Sequence, residues 1–471
     1  MWDGASHFSD LLVNFSAMFT GPSFDNFVTL VTGWIACVGR RQISRVIQFG
    51  AVHDAGRHHS VFYRFFSRAR WNADELGKRI FGLVLGVVPD GSPIQLLVDD
   101  TLCHRSGPHI WGGGMHYDLM RSNFQGSRII KSFSFGHNWV IVSVCVPTPW
   151  NPLRVAAIPV AFRLYRSKKL CPADQYCKRT EIARQMVDMV ERWTPAGSKL
   201  VLVGDTEYAS RVVVHELPDR VVFVGPMNMK AAVYQRPTRT RAKGRPPKKG
   251  ARLLSPEQLI AARHIPWAKR SVTLYGRRVK VLMKHQRCLW YSVSGTRLVR
   301  MIVTRDPRGR VEDRAYFTTD ERMRIDDIAH AFSLRWSQEE MHRNVKQHLG
   351  LEDPQNGWWR RTAGRRPSSK RPGPRPHRDR GSLSAKRTVP FVLTTYALVV
   401  LWYFSNGSFQ EDVQRKRLQA PWYRQKREPS FCDMLSSLRR HIWTQSNLDH
   451  PLNQKGVEKK AIRPEDLLWA A

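Results

Sequence analysis

Three carboxylates follow sequence segments that should bring their side chains together. Asp100 ends the apolar run IQLLVDD, and Asp205 ends the run LVLVGD. Both runs have the composition of buried strands, and open sheets place ligands at strand ends. Glu339 lies in the segment FSLRWSQEEMHRNVK, in which apolar residues recur at helical spacing.

Three carboxylates that meet repel one another, and they stay ionised together only if a cation compensates their charge. Hard oxygen ligands of this kind favour Mg²⁺ or Mn²⁺, with water and phosphate completing the coordination. Two such ions, about 3.5–4 Å apart, activate a water or a 3′-hydroxyl and stabilise the leaving oxygen in phosphoryl transfer. We therefore predict that Asp100, Asp205 and Glu339 are the catalytic and metal-binding residues.

The helix around Glu339 also carries basic side chains. At 100° per residue, its apolar stripe consists of Leu334, Met341 and Val345. The neighbouring stripe consists of Phe332, Arg335, Glu339 and Lys346. Because like charges beside a metal site need anions between them, we interpret Arg335 and Lys346 as clamps for the phosphates of DNA.

Each carboxylate also has an ordinary structural explanation. Asp100 would fit a turn, Asp205 would fit a helix cap, and Glu339 would fit a surface ion pair with Arg335. Glu340 competes with Glu339, but its helical angle points away from the basic residues. The histidines near the first strand are interpreted as plain polar residues rather than metal ligands: His104, His109 and His116.

A sheet flanked by helices is predicted to position these residues. Runs rich in Val, Ile and aromatic residues predict strands, and helical spacing predicts helices. After the strand that ends at Asp100, we expect strands at 132–147 and 154–165, a helix at 179–193, a strand at 200–205, a helix at 208–217 and a strand at 220–227. This order predicts an α/β fold with a mixed sheet.

Composition shifts divide the rest of the chain. We predict a helical N-terminal DNA-binding region (1–88), the first part of the catalytic core (89–228), a β-rich insertion with a basic loop (229–320), the catalytic helix that completes the core (321–355), a basic linker (356–388) and a helical C-terminal region (389–471). A helical cap on the main core is the alternative for the first region. Within the insertion, four short strands are expected at 277–284, 288–295, 298–306 and 314–319.

Two tracts are almost free of acid. Residues 236–252 carry eight Lys and Arg and no acid, and residues 360–387 carry eleven against one acid. Such tracts are typically mobile and bind phosphates. We predict that the first tract binds DNA, as a minor-groove hook or as a flexible linker, through Arg239, Arg241, Lys243, Arg245, Lys248 and Lys249.

The whole chain of 471 residues is strongly basic, with 76 Lys and Arg against 39 Asp and Glu and a formal net charge of +37. Self-repulsion of this size disfavours the compact state, so a polyanionic partner is expected. The N-terminus lacks the features of a signal peptide, and the apolar run at 389–404 is too short to span a membrane. Seven scattered cysteines indicate a reducing cytoplasm and no structural zinc.

The segment around Glu339 resembles the Y-x-x-R-x-x-x-E-x-x-x-x-x-x-K signature of bacterial insertion-sequence DDE transposases, with Phe332 in place of the tyrosine. The segments VDDT at 98–101 and VGDTEY at 203–208 resemble the two aspartate motifs of that family. The resemblance covers about residues 63–443. It assigns Asp100 rather than its neighbour Asp99 to the metal.

This resemblance implies an RNase H-like fold and cut-and-paste transposition through nicking, end processing and strand transfer. It also implies double-stranded DNA as partner, both as transposon ends and as target, a homodimer in a synaptic complex, and a bacterial cytoplasmic location at the nucleoid. Some relatives hold a flipped base with a tryptophan on an insertion strand. No tryptophan occurs in LVRMIVTRD, and Trp290 on the preceding segment is the candidate.

Two other functions fit the same residues. One is a domesticated DNA endonuclease that cuts without joining strands. The other is a non-catalytic DNA-binding protein that retains the acidic residues without using them. Metal-dependent cleavage separates the second alternative from the enzymes, and strand joining separates the transposase from the nuclease.

Overall fold

The computed structural model describes residues 7–50, 57–106, 110–125, 128–238, 247–354 and 379–448. The chain forms two compact units. We call the first the sheet unit (Phe81–Leu102 and Asn138–Met341) and the second the helical unit (Met1–Ile80, Cys103–His137 and His342–Ala471).

The strands, in chain order, are β1 (Ile94–His104), β2 (Gly114–Tyr117), β3 (Asn123–Gln125), β4 (Arg128–Ile130), β5 (Phe133–Thr148), β6 (Asn151–Tyr165), β7 (Leu200–Gly204), β8 (Val221–Pro226), β9 (Ala268–Leu274), β10 (Arg277–Cys288), β11 (Val299–Arg305) and β12 (Arg314–Thr318).

The helices, in chain order, are α1 (Phe8–Val13), α2 (Gly21–Ala36), α3 (Ile43–Gly50), α4 (Ser60–Ser67), α5 (Ala73–Leu85), α6 (Arg179–Trp193), α7 (Arg211–Val214), α8 (Pro256–Ala261), α9 (Tyr291–Ser294), α10 (Ile325–Ser333), α11 (Trp336–Leu349), α12 (Asp379–Asn406), α13 (Phe409–Gln419) and α14 (Phe431–Leu448).

A mixed sheet forms the core of the sheet unit. Its strand order is β2, β5, β1, β7, β8, β12, β11, β10, β9, and β6 also pairs with β5. The strands β1, β7 and β8 run parallel, and β12, β11, β10 and β9 extend the sheet by antiparallel pairing. Helix α6 packs beside β6, and α10 packs beside β8, β9 and β12. The predicted mixed sheet flanked by helices is therefore confirmed.

The strands after residue 228 differ in detail from the prediction. The strand expected at 288–295 is absent, because Tyr291–Ser294 forms the short helix α9 instead. Its Ser294 hydroxyl donates to the carbonyls of Trp290 and Arg297, so turn chemistry overrides the strand preference of the Tyr and Val residues. The strand β9 was not predicted, because exposed basic residues interrupt its apolar pattern. Strand β12 bonds to β8, so these strands extend the same sheet.

An aromatic core holds the helical unit together. Phe391 of α12 lies in contact with rings from α2 and α4, namely Phe27, Trp34, Phe65 and Phe66. The segment Gly381–Asn406 is long and apolar enough to cross a membrane by length and composition alone, but 89% of its most apolar window is buried. Helix α12 thus has the burial of a core helix. All seven cysteines are free.

Candidate active site

Aspartates follow the last pair between two parallel strands of the sheet unit. The pairing of β1 with β7 ends at Val98 and Gly204, and Asp99 and Asp205 come next on the two chains. The sequence places Asp100 at the end of its strand, but β1 continues to His104. The carboxylates therefore lie where the parallel pairing stops rather than where the strand stops, because β1 extends beyond the shorter β7.

A tight turn after β7 fixes the side chain of Asp205. Its Oδ1 accepts hydrogen bonds from the backbone N–H groups of Glu207 (2.9 Å) and Tyr208 (3.2 Å). Burial raises the pKa of Asp205, the two N–H groups oppose this, and the charge of Asp100 adds to it. Repulsion between the two carboxylates is the pattern expected where a cation belongs.

Asp99 lies beside the start of α11. Its Oδ2 accepts a hydrogen bond from Nη1 of Arg335 at 3.1 Å, and its Oδ1 accepts the backbone N–H of Asp100 at 2.8 Å. Burial raises the pKa of Asp99 to about 8, Arg335 opposes the shift, and the charges of Asp100 and Asp205 reinforce it. Burial and the neighbouring carboxylates thus disfavour the charge of Asp99, and the guanidinium of Arg335 stabilises it.

One guanidinium joins Asp99 to Glu339. Nη2 of Arg335 donates to Oε1 of Glu339 at 2.5 Å, while Nη1 of the same group donates to Asp99. Burial alone would lower the pKa of Arg335, but Asp99 and Glu339 together raise it. In this structure Arg335 supplies the positive charge between two carboxylates, a role that sequence reasoning had given to a metal.

The predicted single helix around Glu339 is two helices. Helix α10 ends at Ser333, and α11 begins at Trp336. The hydroxyl of Ser333 donates to the carbonyl of His330 and that of Ser337 to the carbonyl of Leu334, which favours a local interruption. Phe332 consequently lies on α10, where its ring is 4.6 Å from that of Tyr316, and not on the helix of Glu339.

Asp100 has a separate set of partners. It accepts hydrogen bonds from Nδ2 of Asn138 (2.7 Å), Nη1 of Arg179 (3.2 Å) and the hydroxyl of Tyr208 (3.3 Å). Arg179, the first residue of α6, also pairs with Glu207 at 2.8 Å. Sequence reasoning missed Arg179 and Glu207. The available signal was the second acid in VGDTEY and the arginine that begins the predicted helix at 179–193.

The donors near the sheet are carboxylate oxygens, which suit Mg²⁺ or Mn²⁺. The charges of Asp99, Asp100 and Asp205 also repel one another, a pattern that a bound cation would relieve. Among the described ranges, however, no three His, Cys, Asp or Glu side chains lie close enough together to share one ion. The residue types fit a metal, but in the arrangement observed Arg335 forms an ion pair with Asp99 and Arg179 forms one with Asp100.

Lys346 lies two turns after Glu339 on α11, and both Lys346 and its partner Glu352 belong to the helical unit. Its Nζ is 3.8 Å from Oε1 of Glu352. The same oxygen lies 2.9 Å from Nδ1 of His104, whose Nε2 is 2.7 Å from Asp118. His104 therefore links Glu352 and Asp118 through its two ring nitrogens. His116 is buried, and His109 lies outside the described residues.

The predicted basic loop is described only in part. Lys248 is exposed, and Nζ of Lys249 lies 4.5 Å from the ring centre of Tyr234. Four predicted DNA-binding residues lie outside the described ranges: Arg239, Arg241, Lys243 and Arg245.

Comparison with known proteins identifies the family. A family model described as "DDE superfamily endonuclease" matches residues 15–292, which is more than half of the chain. Among solved structures, the chain is similar to a piggyBac transposase determined by cryo-EM as a synaptic complex with hairpin DNA. That match has a TM-score of 0.37 and 10% identity, and it covers 96% of this chain and 80% of that one. No curated protein sequence matches. The chain belongs to the DDE superfamily endonuclease family.

Proposed function

We propose that this protein is a DNA transposase that cleaves DNA at the ends of its element and joins those ends to target DNA in a metal-dependent reaction. The observation that carries the proposal is the bridge from Asp99 through Arg335 to Glu339, beside Asp205, within one compact unit. Membership in an endonuclease family and a net charge of +37 support the same reaction on the same substrate.

The proposed metal ligands are Asp205, Glu339 and one aspartate of β1. Sequence reasoning favours Asp100 for the third position, whereas the shared bond with Arg335 favours Asp99. Mg²⁺ or Mn²⁺, as two ions per site, would supply activation of the attacking oxygen and stabilisation of the leaving oxygen. Asp100 then orients the site from its position among Asn138, Arg179 and Tyr208.

Arg335 has two roles in this proposal. In this structure it pairs with Asp99 and Glu339, and if these carboxylates held a metal its guanidinium would bind a DNA phosphate. Lys346, on α11, is proposed as a second phosphate-binding residue. Phe332 presents a ring without the hydroxyl that the resembled signature carries, so it contributes packing rather than a hydrogen bond.

The proposed partners are double-stranded DNA, as transposon ends and as target, and a second copy of this chain in a synaptic complex. The proposed location is the bacterial cytoplasm at the nucleoid. Inverted repeats in the DNA that flanks the gene would supply the cognate ends for an assay.

The experiment incubates purified protein with duplexes that carry those flanking repeats, with Mg²⁺, Mn²⁺ or EDTA. We expect strand cleavage with either metal, joined products with a target duplex, and neither with EDTA. Asp205→Asn and Glu339→Gln should bind the duplex normally and fail to cleave it, because affinity comes from Lys and Arg. Cleavage without joining would indicate the nuclease, and DNA binding without cleavage would indicate the non-catalytic protein.

A further inference from the structure

A long part of the sheet unit contains no acidic residue. Between Glu257 and Asp306 the chain carries eleven Lys and Arg and neither Asp nor Glu. This part includes β9, β10 and β11, which are adjacent at one edge of the sheet. The positive charge is thus concentrated on neighbouring strands rather than spread along the chain.

A tight turn joins β9 to β10. Leu274 pairs with Arg277, so only Tyr275 and Gly276 form the connection. Both have positive φ angles, 52° and 72°, as the turn of a two-residue hairpin requires. The turn fixes the register, and the register fixes which side chains share a face.

The two faces of this hairpin differ in chemistry. One face buries Val272 of β9 together with Val281 and Met283 of β10, and it also carries the exposed Arg270 and Arg277. Side chains alternate along a strand, so the residues between these point to the opposite face. That opposite face presents the exposed residues Lys269, Arg278 and Lys280, which we call the basic hairpin face.

The three positive charges of the basic hairpin face have no acidic partner among the described residues. Its three residues form no ion pair and no side-chain hydrogen bond within the part of the chain that the structure describes. Other basic residues of the same acid-free part are satisfied: Nζ of Lys284 donates to the carbonyls of Leu259, Ile260 and Ala262, and Arg305 pairs with Asp313 at 2.6 Å.

Basic residues on the opposite face of the same strands make the surrounding field positive as well. Burial lowers the pKa of His285 on β10, and the charges of Arg300, Arg287 and Arg270 lower it further. A cluster of like charges without acids is stabilised when an anion approaches it.

We propose that the basic hairpin face binds the phosphate backbone of the duplex DNA on which the carboxylates act. This inference rests on the proposed function, since it takes duplex DNA as the substrate of the carboxylates. The hairpin and the carboxylates belong to the same unit. Regularly spaced, exposed Lys and Arg on a rigid sheet suit a repeating phosphate backbone and would bind it without reading its sequence. The competing explanation is that charge on the edge strand β9 only prevents pairing with other chains.

The test compares two triple variants with the same change in net charge. The first is Lys269→Gln/Arg278→Gln/Lys280→Gln. The matched control is Lys199→Gln/Arg310→Gln/Arg324→Gln, which removes three exposed basic residues of the same unit that do have acidic partners. Duplex affinity is measured from low to high salt, and thermal melting confirms that both variants fold.

We expect the slope of log affinity against log salt to become shallower by about 2–3 units in the hairpin variant and to stay close to wild type in the control, since each neutralised phosphate contributes about 0.9 unit. An unchanged slope in the hairpin variant, or an equal change in both, would overturn the inference. The inference would also be overturned if the hairpin variant lost binding to vesicles of anionic lipid while it bound the duplex as the wild type does.

Metal-dependent cleavage by the wild-type protein is assayed separately. If the wild type cleaves and the hairpin variant keeps its slope, only the hairpin inference fails. If the wild type never cleaves but the slope changes as expected, the hairpin inference holds and the proposed reaction fails.

Discussion

Asp99 and Asp100 are adjacent in sequence, yet their carboxylates have different partners. Asp99 shares Arg335 with Glu339, whereas Asp100 accepts hydrogen bonds from Asn138 and Arg179. Alternation along β1 explains the separation, because consecutive side chains point to opposite faces. A metal ligand must approach Glu339, so these hydrogen bonds favour Asp99 for that role and Asp100 for an orienting role.

Alanine variants of the two aspartates should therefore differ. We expect Asp99→Ala to lower cleavage by at least about 10²-fold, the order of loss when a reacting group is misplaced. Asp100→Ala should lose about 10–100-fold, as residues that orient metal ligands do. Binding of Mn²⁺, followed by electron paramagnetic resonance, should weaken most in Asp99→Ala. Full cleavage by Asp99→Ala, with none by Asp100→Ala, would return the ligand role to Asp100.

Asp118 of the helical unit gives a pH-dependent contribution to stability. Its side chain is only 4% exposed, and it accepts hydrogen bonds from Ser134 (2.6 Å) and His104 (2.7 Å). Burial would raise the pKa of Asp118, but these hydrogen bonds outweigh burial and lower it below its ordinary value. A lowered pKa means that the folded state favours the ionised carboxylate.

We expect Asp118→Asn to reduce the free energy of unfolding at pH 7 by about 1.5–3 kcal/mol, the range for hydrogen bonds to a charged group. The stabilisation is present above the unfolded pKa of about 3.9 and is lost as pH falls through the lower folded pKa. Urea denaturation at several pH values should show the two proteins converging in acid. The exposed Asp174→Asn is the control and should follow wild type throughout; a gap for Asp118→Asn that persists in acid would contradict the assignment.

At the scale of elements, the sequence predicted the strands and helices whose formation depends on interactions between neighbouring residues. The runs at 200–205 and 179–193 form β7 and α6 because burial and periodicity agree there. The break between α10 and α11 was missed because Ser333 and Ser337 act through backbone carbonyls, which a hydrophobic stripe does not record. The pairing of Arg335 with Asp99 was equally invisible, since it joins residues far apart in the chain.

Helix α12 supplies the prediction at this scale. Phe391 is fully buried among four aromatic rings, so Phe391→Ala should lower the free energy of unfolding by about 3–5 kcal/mol. The control Leu418→Ala removes an apolar side chain that is 76% exposed on α13 and should change stability by about 0.5 kcal/mol or less. Urea denaturation without detergent measures both. Wild-type stability in Phe391→Ala, or folding only with detergent, would contradict a core role for α12.

At the scale of the whole molecule, the charge excess has a definite distribution. Where Asp or Glu faces a basic residue, the structure forms ion pairs such as Arg220 with Glu191 and Arg184 with Asp188. With 76 basic and 39 acidic residues, the acids are too few to pair with every Lys and Arg. Composition alone could predict the excess, but the register of β9 with β10 was needed to place part of it on one face.

The two acid-poor tracts at 236–252 and 360–387 carry a further concentration of positive charge and yield the last prediction. Arg387 of the second tract is buried on α12 and donates to the carbonyls of Phe66 and Trp71, so the variants change only residues 239–249 of the first tract and 360–378 of the second. Replacing the basic residues of either segment by Gln should weaken binding to all duplexes alike, because bonds to phosphates carry no sequence information. The slope of log affinity against log salt should become shallower by about 0.9 unit for each phosphate that the variant no longer neutralises. A variant with the same tract residues in scrambled order should keep the wild-type slope, since charge rather than order determines binding to the backbone. An unchanged slope after neutralisation would show that the tract does not touch DNA, and a scrambled tract with weaker affinity for one sequence alone would show that it reads bases instead.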